Sequence, residues 1–511
     1  MFKRFLANTR GNVAIIFALV SVPAMAIAGA AIDYTNASQE YSRLQVATDS
    51  ASLAGAKQVG LLSEEGVRQA VTDVFDANYR GPKRERVTLS IVVGDSDVNV
   101  VAASHTDTSF MKLMHFDEIA LKVSSTAIVG RDKKIDVVLV LDNSGSMSGS
   151  KIDALRSAAA DLTQILMNAN KTAPSGEEPV QVGVVPFTAF VNVGSQYKTA
   201  SWMDTNGQSP IHSEDFNQTA NRFDLFNELS GVSWRGCVTS RPYPHDVTDT
   251  LPTSGNPQTL FVPHFAPDEP GSSNSNGHSF KNNYISDWTS TCTTPLPNDS
   301  TRWEAAQSRI CKYTGANYSS GSGVSKGPNY GCRTNPLTPM TIDQTIVETA
   351  VNNLTANGYT NIHQGVMWGW RVLSPEAPFT EGRSDVDDKV EQFLIVMTDG
   401  KNTYITENSP NDTVSFAYGY TAKGRLGTVG NYSAILSKMN ERTQESCTNT
   451  KTVGEVKIYT IAFQVSDTAT LELLENCATE PSMAFRSETN GDLIEAFRKI
   501  AQEINSLRIS M

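Results

Sequence analysis

Ile135 to Ser150 reads IDVVLVLDNSGSMSGS. The apolar residues Ile135, Val137, Val138, Leu139, Val140 and Leu141 end abruptly at Asp142, where small polar residues take over. A short apolar run bounded by turn residues is the pattern of a strand buried on both faces of a parallel sheet. In open α/β sheets, ligands bind in the crevice beyond the carboxyl ends of the strands. Asp142, Ser144 and Ser146 are expected there, a carboxylate and two hydroxyls in alternation. Oxygen-only ligation of this kind suits a hard divalent cation, Mg2+ or Mn2+.

Two distant stretches extend the constellation. FLIVMTDG (Phe393 to Gly400) is a second buried strand pattern and ends in Asp399. GYTNIHQG (Gly358 to Gly365) supplies Thr360 from a loop just before a helical pattern. Together these segments resemble the von Willebrand factor A domain and its metal-ion-dependent adhesion site. The DxSxS of that family matches Asp142, Ser144 and Ser146; its distant threonine matches Thr360 and its later aspartate Asp399. The plainer reading, a serine-rich turn with a capping aspartate, requires three separated segments to match by accident. The resemblance implies an α/β fold with a doubly wound, mostly parallel, Rossmann-like sheet.

At 511 residues the chain is long enough for several domains. A formal net charge of -12 argues against a nucleic-acid partner. No Walker A sequence, HExxH or GxSxG nucleophile elbow is present. Cys237, Cys292, Cys311, Cys332, Cys447 and Cys477 show no CxxC spacing, so a zinc or thioredoxin-type site is not expected. An even count outside the cytosol implies disulfides.

The N-terminus decides the compartment. Lys3, Arg4 and Arg10 precede Asn12 to Ile32, 21 residues without a charge. At about 1.5 Å per residue this spans the ~30 Å hydrocarbon core. Basic residues before the span and Asp33 after it place the N-terminus in the cytoplasm and the bulk outside, in the periplasm or beyond. The competing reading is a cleaved signal peptide, since Ala24-Met25-Ala26 and Ala28-Gly29-Ala30 both have the A-x-A form. A permanent helix is favoured because the apolar stretch exceeds a signal core of roughly 7–15 residues and helical character continues beyond it.

RGNVAIIFAL followed by IDYTNASQEYSRLQVATDSASLAGA resembles the TadE/TadG-type region of tight-adherence (Flp) pilus assembly proteins. The resemblance covers about 50 residues. Gly11 is followed five residues later by Ile16 rather than the Glu that prepilin processing needs, which favours an anchor in the bacterial inner membrane. A von Willebrand A pattern downstream of such a region is the layout of TadG-like proteins.

Residues 63 to about 80 carry an amphipathic helix pattern with Ser63, Glu64 and Glu65 at its start. RVTLSIVVG, VNVVAASHT and IALKVSSTAIVG follow as strand-like runs. The expected organisation is therefore an anchor and TadE/TadG-like helix over 1–57 and a small α+β module over 58–130. A von Willebrand A-like domain over 131–511 is interrupted by a disulfide-rich insertion at 197–336. Ile152, Leu155, Ala159, Leu162 and Leu166 recur at helical spacing, and QVGVVPF (Gln181 to Phe187) is a further buried strand.

Within the insertion, Ser, Thr, Asn, Gly and Pro fill 51 of the 100 residues from Ser201 to Ser300. That composition favours loops. Trp202, Trp234, Trp288, Trp303 and four cysteines argue against disorder. The insertion either borders the metal crevice or is a solubilising decoration. His212 and His264 lack metal spacing and are expected at the surface or in turns. VKIYTIAFQV is a core strand flanked by Cys447 and Cys477, a candidate pair, and Leu493, Phe497, Ile500 and Ile504 mark a terminal amphipathic helix.

Two carboxylates and three hydroxyls leave a divalent cation incompletely neutralised, with an open coordination position. The family resemblance implies that a Glu or Asp of a protein partner fills it. A hydrolytic site would need a general base beside metal-bound water, and His363, in those loops, reads as part of the following helix. Binding rather than catalysis is expected, with pilus-assembly or envelope proteins as partners. A surface adhesin-like receptor and a structural envelope spacer are the alternatives.

Overall fold

The computed structural model describes residues 12–94, 97–128, 134–173, 178–319, 321–384 and 390–506. Lys3, Arg4, Arg10 and the expected domain start at Arg131 lie outside them. The chain divides into two compact units, one up to Asp132 and one over Lys133–Ile504.

The first unit begins with one long helix, α1 (Asn12–Ala56), which continues through Pro23. From Ile16 to Ile32 its side chains stand mostly exposed, with Phe17 74% and Ile27 72% accessible. Beyond Asp33 one stripe turns inward, and Leu44, Ala47 and Ala51 are fully buried. The helix α2 (Glu64–Asn78) starts where Ser63 accepts from the Gly66 amide at 3.2 Å. Strands β1 (Thr88–Val93), β2 (Asp97–Asp107) and β3 (Glu118–Ile128) form an antiparallel sheet in that order. Val67, Val71 and Phe75 of α2 and Val98, Val100 and Ala102 of β2 complete a core with α1. Alanines on α1 let the sheet approach closely. The continuation of the apolar helix is thus the centrepiece of the small α+β unit.

The second unit is built on a six-stranded sheet, ordered β6-β5-β4-β7-β8-β9. Its strands are β4 (Lys134–Asp142), β5 (Val180–Phe187), β6 (Thr338–Thr341), β7 (Val390–Thr398), β8 (Lys457–Phe463) and β9 (Ala484–Ser487). Only β6 pairs antiparallel, at one edge. Burial on both faces explains the nearly continuous Val/Ile/Leu runs. On one face Val137, Leu139 and Leu141 meet α3 (Ser150–Thr172) and, after two short helices in the insertion, α6 (Gln344–Asn352) and the terminal α10 (Asn490–Ser506). On the other, Val138 and Val140 meet α7 (Ile362–Leu373), with α8 (Tyr432–Thr452) and α9 (Thr468–Cys477) alongside. This is the α/β, doubly wound, mostly parallel architecture expected from the sequence.

Among its described residues the insertion holds the short helices α4 (Arg222–Glu228) and α5 (Arg302–Ser308), a few single 3-10 turns and isolated bridges. It is not a separate globule. Trp202, Phe223, Trp234, Phe261 and Phe265 share one hydrophobic core with Val138, Val140, Val185 and Phe187 of the sheet. Disulfides join Cys237 to Cys332, Cys292 to Cys311, and Cys447 to Cys477. The histidine expectation is corrected: His212 and His264 are buried. His212 accepts from the Arg222 amide at 2.9 Å, and His264 lies 4.2 Å from the Phe190 ring, because the insertion's aromatics enclose what its composition left looking solvated.

Candidate metal centre

The chain leaves β4 toward β5 on one side, and later enters β7 on the other side of β4. A crevice opens where neighbouring strands feed connections in opposite directions, at their carboxyl ends. Leu141 pairs with Met397, so Asp142 and Asp399 emerge together at that point.

Four of the five expected residues meet in one hydrogen-bonded cluster. Ser144 donates its amide to Asp142 Oδ1 at 2.8 Å. The hydroxyls of Ser144 and Ser146 lie 3.0 Å apart, and Ser146 donates to Asp399 Oδ1 at 2.6 Å. Thr360 joins through its loop. Gly145 donates its amide to the Gly358 carbonyl at 2.9 Å, and Thr360 itself is held by Thr403, whose hydroxyl accepts from its amide at 3.0 Å. No side-chain bond links Thr360 to the other four among the described residues. Asp142 is fully buried. Burial first, then the charge of Asp399, raise its pKa to about 6, against the pull of the Thr398 and Ser144 bonds. Two buried carboxylates and the buried Ser144, with Ser146 exposed on the open side, are a donor set that fits a hard divalent cation, and the acids repel each other when it is absent.

Three residues around the cluster carry no obvious signal in the sequence. Thr398 donates to Asp142 Oδ2 at 2.6 Å. Lys151, in the first turn of α3, places its ammonium 2.8 Å from Asp399 Oδ2. Asn143, between the first two candidate ligands, donates to the Thr355 carbonyl at 3.1 Å and accepts from the Thr334 hydroxyl at 3.3 Å. Thr334 lies at the insertion's return, so the insertion is bonded to the loop that follows β4. His363 belongs to α7, as its pattern indicated, and is buried between Tyr418 and the Asp246 carbonyl. Burial lowers its pKa to about 3, leaving it a neutral structural group.

A cavity of about 380 Å3 adjoins the loop that carries Thr360. The insertion contributes Tyr330 and Arg333 to its wall, the Thr360 loop Gly358 and Tyr359, and the segment after β7 Tyr404 and Phe416. An aromatic wall with one guanidinium is a surface for a mixed polar and apolar ligand.

Residues 11–58 match the family model of Flp pilus-assembly TadE/G-like proteins. The match is confined to the N-terminal region. Among curated proteins, none matches the chain in sequence. Three solved structures illustrate the likeness of the larger part. The von Willebrand factor domain of the type V pili tip protein Mfa5 from Porphyromonas gingivalis is 12% identical with a TM-score of 0.34, covering 73% of this chain and 95% of that one. The pilus adhesin SpaC from Lactobacillus rhamnosus GG is 11% identical with a TM-score of 0.34, covering 82% of this chain, which spans 34% of SpaC. Proximal thread matrix protein 1 of the mussel byssus, in a structure with a zinc-occupied metal-ion-dependent adhesion motif, is 11% identical with a TM-score of 0.28, covering 75% of this chain and 48% of that one.

Proposed function

We propose that this is a membrane-anchored, extracytoplasmic binding protein that acts in tight-adherence (Flp) pilus assembly or anchoring through a divalent-metal site. The observation that carries the reading is the pairing of a TadE/G-like N-terminal region with the Asp142–Ser144–Ser146–Asp399 cluster on one chain. In this reading Asp142, Ser144, Ser146, Thr360 and Asp399 hold Mg2+ or Mn2+, directly or through water. The cation supplies an electrophilic position that a partner's Glu or Asp fills. The chain's own residues orient that ligand. Thr398 fixes Asp142, Asn143 ties the loop to the insertion, and the neighbouring cavity receives what lies beside the acid.

In this reading the site binds a partner rather than catalysing a reaction. The uncharged part of α1 anchors the protein in the bacterial inner membrane with the bulk in the periplasm. An adhesin-like receptor using the same site is the second reading, favoured by the pocket against the loop that carries Thr360.

The test is co-purification from native membranes in Mg2+ or EDTA, comparing wild type with Asp142→Ala. Pilus components that elute with wild type in Mg2+ and vanish on chelation or mutation are the expected result. Components that stay bound regardless reduce the cluster to a structural role. Their absence under every condition removes the pilus reading.

A further inference from the structure

The loop between β2 and β3, Thr108 to Asp117, carries Phe110, Leu113, Met114 and Phe116, which are 44%, 83%, 45% and 59% exposed. Scattered exposed apolar residues need no explanation, but four on one short loop form a patch. The loop is also firmly held. Asp33 accepts from the amides of Ser109, Phe110 and Met111 at 2.9, 2.8 and 2.7 Å. Thr108 closes the neck, its amide donating to the Asp117 carbonyl at 3.0 Å.

The direction of the loop is what gives the patch meaning. Asp33 is the first charged residue after the uncharged span, and the loop reaches back along α1 from there. A Cβ added at Gly29, about one helical turn nearer the N-terminus, would lie 2.4 Å from Phe110 Cβ. Gly29 therefore makes room for Phe110 within the apolar span itself. The carboxylate at the edge of that span is 2% exposed and accepts from three backbone amides, which offsets the cost of a bare charge at that depth. Lys112 and His115 alternate with the apolar side chains, and such groups reach from an apolar bed toward phosphates and water.

We propose that the β2–β3 loop is a second membrane-seated element: Phe110, Leu113, Met114 and Phe116 enter the acyl region of the non-cytoplasmic leaflet beside α1. The occupant of the patch is lipid, because the patch continues the exposed apolar surface of Ile16 to Ile32. Pinned by Asp33 and packed on Gly29, the loop fixes the height and rotation of the small α+β unit on the bilayer. The inference rests on the reading of α1 as a membrane span.

The test uses the full chain in vesicles of phosphatidylethanolamine and phosphatidylglycerol, with one added cysteine bearing an environment-sensitive nitrobenzoxadiazole label. The native cysteines are paired and do not compete. Labels go to Leu113, to Ile27 within the span, and to Leu62 as a water-facing reference, 48% exposed. With nitroxide-bearing acyl chains, the Leu113 label is expected to be quenched at least as strongly as half the Ile27 signal, and the Leu62 label hardly at all. Quenching at Ile27 with Leu113 matching Leu62 overturns the inference and leaves the anchor intact. Absence of quenching at both removes the anchor reading and the inference with it. A Leu113 label shielded from both lipid nitroxide and aqueous iodide overturns it in favour of a protein cover.

Discussion

The ammonium of Lys151 stands 2.8 Å from Asp399 Oδ2, while Oδ1 of the same carboxylate accepts from the Ser146 hydroxyl at 2.6 Å. The Asp399 side chain is fully buried and that of Lys151 one-quarter exposed. A divalent cation drawn to Asp142 and Asp399 shares the second acid with a fixed positive charge. Lys151→Met is therefore expected to tighten Mg2+ binding about tenfold, roughly 1.4 kcal/mol. Asp399→Asn removes one of two anionic ligands and is expected to weaken binding by about a hundredfold or more. Calorimetric titration of the chelator-stripped full chain reads both. Weaker binding in Lys151→Met would instead mean that the lysine holds Asp399 in its ligating position.

The Cys237–Cys332 bridge closes a separation of 95 residues, and Thr334, two residues beyond it, bonds the Asn143 side chain of the loop after β4. Replacing both cysteines by alanine is expected to cost about 2–5 kcal/mol of stability, because a long loop regains its freedom in the unfolded chain. It should also weaken Mg2+ binding severalfold, since the insertion's return then moves against Asn143. Removing Cys292–Cys311, which spans 19 residues far from that contact in sequence, should destabilise while leaving metal affinity unchanged. Urea midpoints with and without Mg2+ separate the two effects. Equal loss of affinity in both variants would detach the metal loop from the insertion's return.

The strands β4, β5, β7 and β8 are legible in the sequence because burial on both faces demands nearly continuous apolar runs. The edge strands β6 and β9 have four residues each, too few for any period to register. Asp142 and Asp399 stand out as the polar ends of apolar runs. Lys151 and Thr398 do not, since a lysine on a helix and a threonine at a strand end are ordinary in those settings. The insertion is the largest surprise. Its Gly, Ser, Pro and Asn content speaks of loops, and loops they are, but Phe261 lies 4.8 Å from Trp368 across the sheet-facing core. Contacts between residues so distant in sequence leave no local pattern. The same enclosure explains why His212 and His264 are buried.

Asp136 interrupts the apolar run of β4 and is fully buried, answered by Arg383, whose Nε donates to Asp136 Oδ1 at 2.7 Å and whose amide donates to Oδ2 at 3.0 Å. Removing one partner of a buried pair leaves an uncompensated charge. Arg383→Ala is expected to destabilise the second unit by about 3–5 kcal/mol. The double variant Asp136→Ala/Arg383→Ala should recover part of that loss, because neither charge is then stranded. Calorimetric melting of the full chain measures both. A double variant less stable than Arg383→Ala would show that Asp136 supports the strand by itself.

Glu269 has no exposed surface, and burial followed by the charge of Glu407 raises its pKa to about 8. Its Oε2 accepts from the Asn282 amide at 2.7 Å. A carboxyl whose folded pKa exceeds its ordinary value stabilises the fold fully below that ordinary value, and the contribution disappears as pH rises through the folded pKa. Stability is therefore expected to fall between about pH 5 and 8 through this group. Asp215 and Asp246, raised to about 6 by burial, act in the same direction at lower pH. Glu269→Gln keeps a carbonyl oxygen for the Asn282 amide but cannot ionise. The variant should match wild type within about 1 kcal/mol at pH 5 and exceed it at pH 9, with a shallower decline in melting temperature between them. Identical pH slopes for the two proteins would mean that Glu269 ionises freely in the folded state, and that its pairing with Glu407 carries no part of the alkaline loss.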